Sequence, residues 1–263
     1  MNLLVCFKIV KDLDSVMEND WNKASANSLD ISYANSIINL YDEGALEAAL
    51  RLADEAETLG RQVTITAVTL GSGNQEFFFR NLFAVGIDRI VQIICEDDLR
   101  FTPNQVSSLL CSFISSEKFD AILMGQKSSI GDNGQTPLIT AQFLGLPCIT
   151  QVIEMSLVNE GIRVEHQIDG AIRRATVTIP SVYAFCNSRH PYLRVATLRE
   201  KLATSKCHAQ TLDSRELKTM QLLPPDPILI QIYRQKSPKN CVFLQRETPV
   251  ENARELYEHY LLE

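Results

Sequence analysis

Residues 125–137 read Gly125-Gln126-Lys127-Ser128-Ser129-Ile130-Gly131-Asp132-Asn133-Gly134-Gln135-Thr136-Pro137. Glycines let backbone amides come close to a ligand, and Ser128, Ser129, Asn133, Gln135 and Thr136 offer neutral hydrogen-bonding groups beside them. That mixture suits a phosphate. The apolar run Ala121-Ile122-Leu123-Met124 precedes it and an apolar-periodic segment ending at Gly145 follows. The stretch is therefore expected to join a strand to a helix, whose start adds partial positive charge. A polar surface turn that caps the following helix has the same composition, and both readings stay open. The Walker spacing G-x-x-x-x-G-K-[ST] is absent. An earlier stretch, Gly71-Ser72-Gly73-Asn74-Gln75-Glu76, also follows a strand pattern but lacks the third glycine of G-x-G-x-x-G. It reads as a tight strand-to-helix turn or as a partial trace of a dinucleotide-binding turn.

Other chemistry is poorly supplied. Ser128 or Ser129 would need His166 or His190 as a base, and no G-x-S-x-G elbow exists. His166 alternates with Val164 and Ile168, which marks a solvated strand residue. Asp12, Asp14, Asp20, Asp97 and Asp98 have no metal-ligand spacing, nor do the four histidines. The cysteines, Cys6, Cys95, Cys111, Cys148, Cys186, Cys207 and Cys241, are scattered without a C-x-x-C pair. They read as small apolar residues of a reducing compartment. No metal site and no catalytic set is expected. The residues alone lead to an adenine-nucleotide or dinucleotide binder.

The elements that would position such a site alternate. Leu3–Phe7, Val63–Leu70, Ile90–Cys95 and Ala121–Met124 are short apolar runs. Between them lie helical patterns over Tyr41–Leu59, stopped by Gly60, over residues 75–85, stopped by Gly86, and after Thr102-Pro103-Asn104-Gln105, which has the form of a capping box. Residues 11–38 are polar and irregular, with room for one short helix. Strand and helix alternating at this pitch predict an α/β fold, a doubly wound, mostly parallel, Rossmann-like sheet with helices on both faces. After Pro147, Val152–Val158 and Ile162–Ile168 form a hairpin pattern around Asn159-Glu160-Gly161, and residues 176–179 and 182–185 add strands around Pro180, an antiparallel extension. From about Cys207 the character changes. Pro224, Pro225 and Pro227 predict an extended arm. A second capping box, Thr248-Pro249-Val250-Glu251, opens a terminal amphipathic helix that needs a docking surface, either on its own domain or on a partner subunit. The expected division is a nucleotide-binding domain over 1–206 and an arm over 207–263. A net charge of −7 without a dense basic stripe disfavours nucleic acid. No apolar run is long enough for a membrane span, and no leader pattern opens the chain, so a cytoplasmic protein is expected.

Several motifs in order carry a family resemblance: Leu4-Val5-Cys6-Phe7-Lys8, Asn39-Leu40-Tyr41-Asp42-Glu43, Val85-Gly86-Ile87-Asp88-Arg89, the loop 125–136, and Ile168-Asp169-Gly170 followed by Ile179-Pro180-Ser181-Val182. Over roughly residues 1–206 the chain resembles the β-subunit of electron transfer flavoproteins, including the FixA-like branch. The resemblance implies an electron carrier rather than an enzyme. It implies a heterodimer with an α-subunit that holds most of the FAD, and a flavin dehydrogenase as electron donor. The β-subunit itself buries AMP in ordinary members and a second FAD in bifurcating ones. By position, the nucleotide site would use Cys6 and Leu70 on the adenine side and the Asn39, Leu40, Tyr41, Asp42 turn. The loop would add Gly125, Ser128, Ser129, Gly131, Asp132, Asn133, Gly134, Gln135 and Thr136. Leu198, which alone reads equally as a core leucine, falls at the anchor that inserts into a partner dehydrogenase.

This chain departs from the pattern at several positions. Arg173 and Arg174 stand where an acidic residue is common after Asp-Gly, Leu13 where a tyrosine sits near the flavin, and Ala203 where a lysine follows the anchor leucine, although Lys206 remains. Gly134 replaces an asparagine and is nearer to the small residue of bifurcating members. Phe101-Thr102-Pro103 stands in place of their Gly-Ala/Ser-Asp-Thr stretch. A divergent electron-carrier β-subunit is the leading expectation. The alternatives are a bifurcating subunit with its own FAD and an NAD site, and a nucleotide-binding module without redox function.

Overall fold

The structure is a computed structural model that describes residues 1–23, 29–128, 131–159, 161–177, 180–218, 226 and 241–262. Its first strand, β1 (Asn2–Cys6), runs through the middle of the sheet with both faces covered. Leu3, Val5 and Phe7 enter one apolar core, and Leu4 and Cys6 enter a second core on the opposite face. A strand buried on both faces loses the polar alternation of a half-exposed one, which is why this segment reads as a continuous apolar run.

After β1 the chain forms a ribbon, β2 (Ile9–Lys11) and β3 (Ser36–Ile38), paired antiparallel from Ile9 opposite Ile38 to Lys11 opposite Ser36. Between them lies the short helix α1 (Glu18–Lys23). The helix fits the single short helix allowed for residues 11–38. The ribbon was not expected, because three-residue strands are too short to show a period. Helix α2 (Leu40–Thr58) follows and buries Ala45, Leu46, Ala49, Leu52 and Ala56 against the sheet. Gly60 lies just beyond it with φ +65°.

Strand β4 (Thr64–Leu70), helix α3 (Glu76–Val85), strand β5 (Arg89–Ile94), helix α4 (Pro103–Ser115), strand β6 (Ala121–Gly125) and helix α5 (Thr136–Leu144) continue the alternation. Helices α2 and α3 contribute to the core containing Val5, and α4 and α5 to the core containing Cys6. Both faces of the sheet are thus covered, as a parallel sheet requires. The glycines after α3 and α5, Gly86 (φ +112°) and Gly145 (φ +66°), take the left-handed conformation that closes a helix.

The antiparallel extension consists of β7 (Cys148–Val158), β8 (Gly161–Ile168) and β9 (Ala171–Val177), after which β10 (Ser181–Phe185) returns parallel between β6 and β7. Strand β9 begins five residues before the expected 176 and carries Arg173 and Arg174; residues 178 and 179 lie outside the described residues. A short helix, α6 (Leu198–Ala203), precedes an edge strand, β11 (Gln210–Asp213), which pairs parallel with β5. The full strand order is β11-β5-β4-β1-β6-β10-β7-β8-β9. The fold is therefore the doubly wound α/β sheet that the pattern predicts. Its edge strand lies past residue 206, inside the segment read as an arm, because four residues at a sheet edge carry no readable period. Pro224, Pro225 and Pro227 lie outside the described residues. The last helix, α7 (Pro249–Leu256), opens with the expected Thr248/Glu251 capping box and buries none of its residues. Among the described residues no helix is long and apolar enough to cross a membrane.

Candidate functional site

From β1 the chain winds outward to β4 and β5, then crosses back to β6 on the other side of β1. Neighbouring connections therefore leave the carboxyl ends of β1 and β6 in opposite directions. Open α/β sheets have their binding crevice at that switch point. A cleft of about 780 Å³, its open mouth included, lies there, lined from Cys6, Phe7 and Lys8 after β1 and from Met124 to Ser128 after β6.

One carboxylate ties the two strand ends together. Asp42, in the first turn of α2, is buried. Its Oδ2 accepts from the Lys8 backbone N–H at 2.8 Å and its Oδ1 accepts from the Gly125 N–H at 2.9 Å. Asn39, also buried, donates through Nδ2 to the Lys127 carbonyl at 2.8 Å. The Asn39–Asp42 turn thereby fixes where the 125–136 loop leaves the sheet. Burial pushes the Asp42 carboxyl up to about 7, against the hydrogen bonds from Lys8, Asn39 and Gly125. The Cys6 thiol is raised well above the ordinary thiol range, first by burial and then by Asp42 and Cys111. It stays neutral and serves as part of an apolar wall.

Across the described part of the loop, Asp132 (φ +37°) and Gly131 (φ +95°) turn the chain back toward α5. The Asn133 Oδ1 accepts from the Gln135 N–H at 3.0 Å. Ser107 of α4 donates to the Thr136 carbonyl at 3.2 Å and braces the start of α5. The opposite wall comes from the β5–α4 connection and α4 itself: Leu99, Arg100, Pro103, Val106 and Leu110. Here the sequence expectation fails in one detail. Thr102 does not cap α4: its side chain makes no cap hydrogen bond, and its Oγ1 is buried without a partner among the described residues. The α4 amides of Asn104 and Gln105 donate instead to Asp226, at 2.8 and 3.3 Å. A carboxylate offers one oxygen to each of the two amides, and its negative charge also complements the helix dipole.

The site residues expected from sequence separate into groups. Cys6, Asn39, Asp42, Leu70, Gly125, Ser128, Asn133 and Thr136 all line the cleft. Leu40, Tyr41, Gly131, Asp132, Gly134 and Gln135 lie beside it without lining it. Leu40 is exposed on α2, and the Tyr41 Cβ packs near Gly125. Ser129 lies outside the described residues. Among the described residues no His/Cys/Asp/Glu cluster could hold a metal. Three cations of the lining were not singled out by sequence: Lys8, Arg100 and Lys127. The only trace of Lys8 was its place in a motif. Nothing local marks Arg100, which reaches the cleft through the β5–α4 connection. Leu198 begins α6, and at 73% exposure it is not a core leucine.

The family model for the electron transfer flavoprotein domain matches residues 28–186, more than half of the chain. The chain belongs to the electron transfer flavoprotein family. It is 30% identical over 264 residues to the Escherichia coli (strain K12) protein named "Putative electron transfer flavoprotein subunit YgcR", covering 99% of this chain and 98% of that one. It is also 30% identical over 266 residues to the electron transfer flavoprotein subunit beta of Bacillus subtilis (strain 168), covering 97% and 96%. The likeness to these subunits therefore extends past the matched domain, through the segment after residue 206. Electron transport as an electron transfer flavoprotein subunit is the function that this membership carries.

Proposed function

We propose that this chain is the β-subunit of a heterodimeric electron transfer flavoprotein, and that the cleft at the β1/β6 switch point holds its resident adenine nucleotide. The observation that carries the reading is the cleft itself. Asp42 locks together the two strand ends that frame it, one wall is a glycine-containing loop running into a helix start, and another is the apolar pair Cys6 and Leu70. An adenine ring fits the apolar wall, and a phosphate fits the amides and neutral side chains of Ser128, Asn133 and Thr136. The residues present suit AMP or the adenylate half of a second FAD.

The electron-carrying FAD would be shared with an α-subunit, where it supplies reversible one- and two-electron transfer. This chain's residues would bind the nucleotide, form one wall against the partner and present Leu198 to a flavin dehydrogenase as an exposed apolar anchor. The segment beyond β11, ending in α7, would dock on the α-subunit. Two features bear on a bifurcating role in opposite directions: Gly134 is small and has φ +63°, while Phe101-Thr102-Pro103 occupies the stretch before α4. We favour the simple carrier.

Co-expression with the α-subunit, followed by chromatography of the nucleotides released on denaturation, tests this. One AMP and one FAD per heterodimer is the expected result. FAD in excess of one per heterodimer would indicate the bifurcating form. A chain that forms no complex and releases no nucleotide would leave the proposal without support.

A further inference from the structure

Helix α4 serves two parts of the molecule. Pro103, Val106 and Leu110 line the cleft, and Val106 and Leu110 pack in the apolar cluster that contains Cys6 and Leu70. Ser107, fully buried, braces Thr136 at the start of α5, and the Cys111 thiol donates to the Thr140 carbonyl at 3.6 Å. Other positions of the same helix hold the segment after β11. Ser112 donates to the Lys218 carbonyl at 2.6 Å, and Leu217 packs in the cluster that contains Leu110 and Phe113. The N–H groups of Asn104 and Gln105 come too early in the helix to find acceptors within it. They donate to the two carboxylate oxygens of Asp226, at 2.8 and 3.3 Å.

An acceptor that satisfies the orphan amides of a helix start also fixes where the first turn stands. Here that turn carries Pro103 and Val106 of the cleft wall, and Thr102, just before it, gives no side-chain cap. The carboxylate comes from more than 120 residues downstream and does not itself line the cleft. We infer that Asp226 is a positioning residue for the nucleotide, holding the α4 wall against the apolar side formed by Cys6 and Leu70. The segment after β11 thereby contributes to nucleotide affinity without touching the ligand. This rests on the nucleotide reading above and adds to it a residue outside the cleft. The charge of Asp226 acts in the opposite direction. A carboxylate near an anionic ligand repels it, so losing the charge alone would tighten AMP, whereas losing the wall weakens it.

The test is calorimetric titration of the full-length chain, freed of nucleotide, with AMP. Asp226 is only half-buried, so Asp226→Ala is expected to fold. It should weaken AMP by at least about threefold. That ratio to wild type should be the same in about 0.05 M and about 0.5 M salt, because salt screens a charge but not a displaced wall. Glu55→Ala is the control for a general loss of stability. It strips the Leu157 N–H, far from α4, of its acceptor at 2.8 Å and should leave AMP within about twofold of wild type. A smaller loss in Asp226→Ala, tighter binding of AMP, a loss that vanishes at high salt or an equal loss in Glu55→Ala would overturn the inference and leave the nucleotide reading intact. Failure of AMP to bind wild type would overturn both.

Discussion

A Cβ at position 125 would stand 2.1 Å from Asp42 Oδ1, 2.9 Å from Tyr41 Cβ and 3.0 Å from the Asp42 backbone N. All three belong to the first turn of α2, and although the Asp42 side chain could move, the Tyr41 Cβ and the Asp42 backbone N cannot yield without shifting the helix. Gly125→Ala is therefore expected to cost about 1–3 kcal/mol and to displace the loop start, checked by urea unfolding. A variant as stable as wild type would show that the Asp42 contact is not the constraint. Asp42 itself makes a prediction about pH. Its carboxyl sits at about 7 in the fold against an ordinary value of 3.8, so between those two pH values the folded state binds more protons than the unfolded state. The stability this group contributes is full below about pH 4, declines as pH rises toward 7 and is lost above it. Asp42→Asn removes that slope. It also puts an NH2 where one of the two amides of Lys8 and Gly125 now finds an acceptor, so at pH 8 it should still be about 1–3 kcal/mol less stable than wild type. Chemical denaturation from pH 5 to 8 separates the two effects. If the Asp42→Asn variant keeps the full pH slope, that slope belongs to another group.

At the scale of elements, α4 is capped from a distance. The amides of Asn104 and Gln105 reach Asp226, more than 120 residues downstream, and Ser112 donates to the Lys218 carbonyl at 2.6 Å. Two points of the segment after β11 are thus fastened along α4, whose first turn contributes Pro103 and Val106 to the cleft. Asp226→Ala should cost about 1 kcal/mol and speed amide hydrogen exchange in the first turn of α4, with α5 unchanged. Equal protection in wild type and variant would mean that solvent caps α4 as well as Asp226 does. This contact also marks where sequence reading stops. The apolar runs of β1, β4 and β6 were legible because these strands are covered on both faces, and the periods of α2 and α3 because each helix buries one side, with Gly60, Gly86 and Gly145 announcing helix ends. The Thr102 box had the right letters, but a cap is decided by whichever acceptor arrives first, and Asp226 is supplied by tertiary structure. The β2–β3 ribbon and β11 were invisible because three or four residues carry no period. Among the site residues, those in one local motif, Asn39 to Asp42 and Gly125 to Thr136, could be read together. Arg100 could not, since only the return of the chain at the switch point brings the β5–α4 connection over the loop.

Over the described molecule the cleft sits at the centre of the sheet, whereas helix α7 buries none of its residues. Arg194 shows how firmly the intervening segment is held. Its guanidinium and backbone N–H grip Glu47 of α2 at 2.9–3.2 Å, and Nη2 also reaches Asp54 at 2.9 Å. Glu47 is buried, so this pairing fixes the path into α6 and the exposed Leu198. Among the described residues no such anchor to the sheet is seen for α7. The described contact of its approach is local, Arg246 with Glu255 of the same helix, and Val250, Leu256, Tyr257, Tyr260 and Leu261 are all exposed. A helix with its own capping box and an apolar side toward water is a folded element waiting for a surface. Because these residues are exposed, deleting residues 247–263 should shift the melting temperature of the isolated chain by no more than about 1 °C. The same deletion should abolish co-purification with the α-subunit, if that subunit is the surface. Melting curves of the truncated chain and a pull-down against the tagged α-subunit give the two readouts. A large drop in melting temperature would mean that α7 packs on its own domain, and retained complex would place the heterodimer contact elsewhere on the fold.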